Sequence, residues 1–246
     1  MKESFYLTLL SNSSTQYFPG NMTSNFSTKL PKAITLEGEW MVGIVEFQYP
    51  STMFSVQEHE NIIYISKKTT INNEETTLMY KNHIPATNYD NIQNILIALN
   101  SKEKVSFRQD TVSKFVSVAV KDPSIISLSL SPNLSFQLGF EPDTNLVNHN
   151  IGKRPANLLL GLPSQLFVYC DIIEPQIVGD VMTPLLRIIP LDPAKYIYGS
   201  NKMHIFSPPH YLPVMRREFD VIEIDIRTTT GNAVPFQYGT SCETSF

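Results

Sequence analysis

Cysteine is almost missing from this chain. Cys170 and Cys242 are the only two in 246 residues, too few for the disulfide framework on which small secreted domains rely. Long apolar runs are missing as well. No stretch approaches the roughly 18 apolar residues of a membrane span. The first apolar segment, Phe5 to Leu10, is too short for the hydrophobic part of a signal peptide and lacks a basic flank of any length. The sequons at Asn12, Asn21, Asn25 and Asn133 therefore stand without a secretory signal. A reducing compartment is the expected setting, with Cys170 a buried free thiol inside the apolar run from Leu166 to Cys170.

Charge is sparse too. Only 17% of residues are charged, against 42% apolar and 11% aromatic, and the formal net charge is −4. The chain is globular by this composition, and its surface draws much of its polarity from Ser, Thr, Asn and Gln. The compact basic spots are Lys67-Lys68, Lys153-Arg154 and Arg216-Arg217, each read as a solvated turn. With no broad basic face, electrostatic or sequence-specific binding of nucleic acid is not expected.

Catalytic signatures are absent as well. The five histidines, His59, His83, His149, His204 and His210, lie in turn-like contexts and form no His-x-His, HExxH or Cys-His arrangement. The nearest approach to the paired histidines and carboxylate of a cupin-like metal site is His204 with His210 and Glu218, a spacing that chance supplies. Cys170 sits in a core pattern and Cys242 near the terminus, so neither reads as a nucleophile. There is no GxSxG elbow, no phosphate-binding GxxxxGK[ST] loop and no GxGxxG turn. The carboxylate groups Asp171, Glu174 and Asp180, and Glu218, Asp220, Glu223 and Asp225, include residues on the wet face of a strand. No catalytic, cofactor-binding or metal-ligating residue is assigned, and an enzyme is not expected. The aromatic pairs Tyr17-Phe18, Phe47 with Tyr49, Tyr196 with Tyr198, and Phe236 with Tyr238 read as core or subunit-interface residues.

What is present is a series of short Val-, Ile-, Phe- and Tyr-rich segments punctuated by seventeen prolines, the pattern of an all-β domain. The clearest runs from Phe219 to Arg227, with Ile222, Ile224 and Ile226 on one side and Val221, Glu223, Asp225 and Arg227 on the other, as in a sheet with one wet face. Further strands are expected over Ser4 to Leu10, Trp40 to Phe47, Ile62 to Ser66, Phe115 to Val120, Ile125 to Leu130, Leu166 to Ile173 and Leu185 to Ile189. One segment departs from this. Between Asn88 and Asn100, Ile92, Ile95, Leu96 and Leu99 recur at helical spacing, with Asn88 or Asp90 available as N-cap. The helix follows a strand-like Thr77 to Tyr80 and precedes Val105-Ser106-Phe107 and the Phe115 strand. Residues 61–160 therefore read as a small α+β module with one amphipathic helix, inserted in a discontinuous β-sandwich made of 1–60 and 161–246. A single continuous, decorated sandwich is the competing arrangement. The long Pro-rich connections Glu141 to Pro163 and Asp192 to Pro213 are natural at subunit interfaces.

Several phrases carry a family resemblance. The opening Phe5-Tyr6-Leu7-Thr8-Leu9-Leu10-Ser11-Asn12, followed by Tyr17-Phe18-Pro19-Gly20-Asn21 and Phe26, resembles the start of Polinton/Maverick and adintovirus-like minor capsid proteins. Ile84-Pro85 leading into Tyr89, and Leu128-Ser129-Leu130-Ser131-Pro132-Asn133-Leu134 ending in Leu138-Gly139-Phe140, are similar in the middle. The C-terminal half carries most of it: Leu166 through Asp180, Pro184-Leu185-Leu186-Arg187, His210-Tyr211, Val221-Ile222-Glu223-Ile224, and Arg227 through Gly231 to Val234-Pro235-Phe236. The resemblance implies a penton subunit similar to virophage pentons: a single jelly roll, an inserted domain, and five copies at each vertex of an icosahedral shell whose faces are a double jelly-roll major capsid protein. It implies a virion location after synthesis in the host cytoplasm, with no cofactor. Tyr211, Arg216, Arg217 and Phe236 are the loop residues expected at subunit contacts. A β-sandwich module recognising a host receptor or glycan is the alternative. A cupin-like oxygenase is a third, and it predicts stoichiometric metal.

Overall fold

The computed structural model describes residues 4–101 and 104–245. Two compact units emerge, Met1–Met53 with Pro163–Phe246, and Phe54–Leu162. In chain order the first unit contributes β1 (Leu7–Leu10), β2 (Asn25–Thr35), β3 (Met41–Val42) and β4 (Ile44–Pro50). The second contains β5 (Ile62–Ile71), β6 (Glu74–His83), α1 (Ile92–Asn100), β7 (Val105–Gln109), β8 (Val116–Val120), β9 (Ile125–Leu130) and α2 (Pro132–Leu138). The chain then returns to the first unit with β10 (Gln165–Cys170), β11 (Gln176–Val178), β12 (Val181–Thr183), β13 (Leu185–Pro190), β14 (Asn201–Ile205), β15 (Leu212–Pro213), β16 (Glu218–Arg227) and β17 (Cys242–Ser245).

The first unit is a jelly roll. Its eight main strands form two antiparallel sheets, β1-β17-β4-β14 and β13-β10-β16-β2. In order along the chain these are strands one, eight, three and six in one sheet and five, four, seven and two in the other, the interleaving that two Greek keys produce. Period-two alternation decides the interior. Phe26 and Leu30 on β2, Leu166, Val168 and Cys170 on β10, and Ile222, Ile224 and Ile226 on β16 are all buried, while Glu223 and Arg227 are exposed. Each such aliphatic side chain contributes about 1.5–3 kcal/mol by leaving water. The other sheet buries Leu9, Phe47 and Tyr49, and also Glu243, which lies in register between Leu9 and Phe47.

The second unit is a small α+β body. Its three-stranded sheet β6-β5-β9 and hairpin β7-β8 share one core with the helices. Ile95, Leu96 and Leu99 of α1 are buried there with Ile65, Phe107 and Leu128. Its two ends meet: the Gln137 side-chain amide donates to the Ser55 carbonyl (2.8 Å), against which Gly161 packs too closely to carry a Cβ.

Several elements differ from the sequence expectation. The N-cap of α1 is Asn91, whose side chain accepts from the Asn94 N–H (3.0 Å), rather than Asn88 or Asp90. A second helix, α2, begins at Pro132 in its first turn and ends on Gly139 at φ 85°. Its seven residues are too few to display a helical period. The expected strand from Trp40 to Phe47 breaks at Gly43, where a Cβ would stand 2.6 Å from the His210 carbonyl oxygen. The strands β2, β14 and β17 are additions. In β2 the ladder slips between Lys29 and Ile34 around Pro31, which has no N–H to donate.

Candidate functional site

A groove of about 410 Å³ lies on the outer face of the sheet containing β10 and β16. Alternation brings Tyr169 and Asp171 from β10 and its end beside Glu223, Asp225 and Arg227 from β16. Most of this charge is spoken for. Asp171 accepts from the Glu223 N–H (2.8 Å) and pairs with Arg216 (2.7 Å). Arg227 donates to Asp225 (2.6 Å) and to the Gly231 carbonyl (3.2 Å). These contacts hold planar polar groups still beside the Tyr169 ring.

Residues weighed for chemistry fall apart in space. His204 lies on β14 in one sheet and Glu218 opens β16 in the other. The His204 ring stacks at 5.8 Å on Tyr49 and at 6.2 Å on Phe206, with Nε2 3.4 Å from the Tyr49 hydroxyl. Burial, and secondarily Lys202, holds its pKa below the usual histidine value, while burial pushes Tyr49 up to about 12. Cys170 is fully enclosed; burial first and Glu243 second push its thiol well above the ordinary range, so it is no ready nucleophile. Among the described residues, no three of His, Cys, Asp and Glu converge in a way that could hold a metal ion.

The expected contact residues divide into two kinds. Tyr211 and Arg217 are exposed, and the Arg217 carbonyl accepts from the Leu36 N–H (2.7 Å). Arg216 is engaged by Asp171, and Phe236 is half-buried with its ring 6.2 Å from that of Tyr49.

More apolar surface lies on the β11-β12 hairpin, which the sequence did not mark as an interface, and on β14, inside the Asp192 to Pro213 connection that it did. Ile177 and Met182, directly opposite in the β11-β12 hairpin, are 79% and 65% exposed, and Met203 and Ile205 on β14 are 54% and 66% exposed. A signal for the second pair is present in Asn201-Lys202-Met203-His204-Ile205, which alternates like a half-buried strand. Alternation alone cannot say which face meets the core, and here the apolar face is the outer one.

No protein-family model matches this chain, and no curated protein sequence matches it. Among solved structures, the crystal structure of the selenomethionine-labelled mavirus penton protein superposes with a TM-score of 0.52 at 10% sequence identity, covering 98% of this chain and 97% of that one. In fold, from end to end, this chain is similar to a penton protein.

Proposed function

We propose that this chain is a minor capsid protein, the penton subunit at the vertices of an icosahedral capsid, encoded by a Polinton/Maverick-like element. The observation that carries the reading is the end-to-end likeness to the mavirus penton protein, which spans both the jelly roll and the intervening α+β unit. The phrases that resemble those of Polinton/Maverick and adintovirus-like minor capsid proteins suggest the finer assignment. The role is structural: five copies close a ring that sits among double jelly-roll major capsid proteins, and no step of chemistry is required of it. Residues 54–162 act as an inserted module, and Tyr211 and Arg217 as loop contacts between neighbours. Synthesis in a reducing cytoplasm before incorporation in the virion suits the two free cysteines. Light scattering on the purified chain over a range of concentrations tests this. A mass five times that of one chain is expected, and a single-chain mass at every concentration contradicts it.

A second reading, a sandwich module that binds a host glycan, has the groove around Tyr169 in its favour, since fixed carboxylates and an arginine beside an aromatic ring suit a sugar's hydroxyls and apolar face. A glycan array separates the two: a stable single chain that binds saccharide favours the module.

A further inference from the structure

Strand β6 is an open edge of the three-stranded sheet β6-β5-β9. The opposite edge is closed by the chain itself. On β9 the Leu128 N–H donates to Asn145 Oδ1 (3.2 Å), the Leu128 carbonyl accepts from the Leu146 N–H (2.7 Å), and the Ile126 carbonyl accepts from the Asn145 side-chain amide (3.2 Å). Among the described residues no strand covers β6 in this way. Most of its ten residues are exposed, Met79 at 85% and Tyr80 at 42%. An edge of this length is a template for another strand, and folds ordinarily shorten or cover it.

The hairpin turn decides which backbone groups face outward. Asn72 and Asn73 both hold positive φ, 52° and 66°, as the two-residue type I′ turn requires. Ile71 and Glu74 flank that turn and form a hydrogen-bonded pair of the ladder. The pairing runs without a bulge to Ile62 and His83, so the alternation carries through: Thr76, Leu78, Tyr80 and Asn82 also turn their N–H and C=O groups to β5. The Ile84 N–H, which donates to the Asn61 carbonyl (3.0 Å) just past the ladder, keeps the same phase. Glu75, Thr77, Met79 and Lys81 therefore direct theirs away from the sheet.

The side chains of β6 complement the same strand read in reverse. Glu74 and Glu75 lie at one end, Lys81 and His83 at the other, and Leu78 near the middle. Consider the antiparallel register that sets Leu78 opposite Leu78 of a second copy. Glu75 then meets Lys81, Thr77 meets Met79, Thr76 meets Tyr80, Glu74 meets Asn82, and His83 meets the turn residue Asn73. The outward groups of Glu75, Thr77, Met79 and Lys81 become the hydrogen-bonded pairs of the new ladder, so backbone phase and side-chain charge select compatible registers. No like charges stand opposite one another. One row back on β5, Lys68 lies by Glu75 (3.5 Å) and Lys67 by Asp122 (3.9 Å), and Glu75 still keeps 78% of its side chain exposed. The Lys81 ammonium lies 5.7 Å over the Tyr64 ring on that same face. Moving the centre to Met79 sets Glu75 against His83 and Lys81 against Thr77; moving it to Thr77 sets Glu75 against Met79 and Lys81 against Asn73. Opposite charges directly across a seam stabilise it, so the register centred on Leu78 is preferred.

We infer that β6 of one copy adds to β6 of a second about a two-fold axis at Leu78, merging their three-stranded sheets into one. The partner is a second copy of this chain. The inference goes beyond the vertex reading and does not rest on it: a two-fold contact cannot generate a ring of five, so it links copies that do not share a ring. In a Cys242→Ser background, Leu78→Cys is expected to shift under mild oxidation to twice the single-chain mass on a denaturing gel, because a non-hydrogen-bonded pair brings the two Cα atoms to about 4.5 Å. Thr76→Cys alone is expected to show no shift, since its counterpart lies well along the strand, whereas Thr76→Cys together with Tyr80→Cys is expected to shift. Added to Leu78→Cys, Glu75→Lys is expected to slow the cross-link and a further Lys81→Glu to restore it. Met79→Pro removes an N–H that points away from β5, so it is expected to keep the circular dichroism spectrum and abolish the Leu78→Cys shift. Folded Leu78→Cys protein that stays at the single-chain mass overturns the pairing and leaves the edge to a partner other than this chain. Thr76→Cys or Met79→Cys cross-linking as readily as Leu78→Cys overturns the register. These outcomes are read as covalent mass, so they stand apart from the solution mass that tests the vertex reading.

Discussion

A Cβ on Gly161 would stand well inside van der Waals distance of the Ser55 carbonyl and of the Gln137 amide that donates to it. Neither neighbour can retreat cheaply, because one is backbone and the other side chain is buried. Gly161→Ala is therefore expected to cost about 3 kcal/mol in urea unfolding. Gly20→Ala, with nothing within 4 Å of its Cβ position, should change stability by less than about 0.5 kcal/mol. His204 gives a second expectation. Its pKa is lowered in the fold, so the unfolded chain binds the proton more readily, and stability is fully present above the unfolded value of 6.5 and declines as pH falls below it. His204→Gln should flatten this part of the stability profile measured by denaturation between pH 7 and pH 5. Single residues were unevenly legible. Cys170 reads as buried from its apolar neighbours and is; Glu243 is buried too, yet a glutamate in a polar terminal segment gives no hint of facing a core.

Elements were legible where one period ran long enough. Strand β16 alternates without a break from Val221 to Arg227 and α1 repeats its apolar positions over nine residues, and both stand close to where the pattern puts them. Strand β2 hides because Pro31 interrupts its ladder, β14 because its apolar face points outward, and α2 because two turns carry too little periodicity. The start of α1 shows how a cap is chosen among neighbours: Asn88, Asp90 and Asn91 can all accept, and it is Asn91, directly before the first helical residue and extended at φ −155° and ψ 163°, whose side chain accepts from the Asn94 N–H. Asn91→Ala is expected to destabilise the α+β unit by about 1 kcal/mol in chemical denaturation. Asn88→Ala should not reproduce that loss of a cap.

For the molecule as a whole, the strand inventory alone does not specify the jelly roll. Its pairings join residues far apart in the chain, such as Leu10 with Cys242, and no local pattern encodes which strand lies beside which. The resemblance in the sequence supplied that arrangement, and the sheet order bears it out. The α+β unit carries its own core and brings Ser55 beside Gly161, so its ends need little chain to be held together. Residues 54–162 expressed alone are expected to unfold cooperatively in urea; a spectrum lacking folded structure would contradict their standing as a module. The low charge of the chain and its exposed apolar side chains suit the proposed vertex role, in which a subunit meets its own copies. Electron-microscope class averages of the purified protein address that account most directly. It predicts closed rings with five-fold symmetry, and averages showing only isolated chains or two-fold dimers would contradict it.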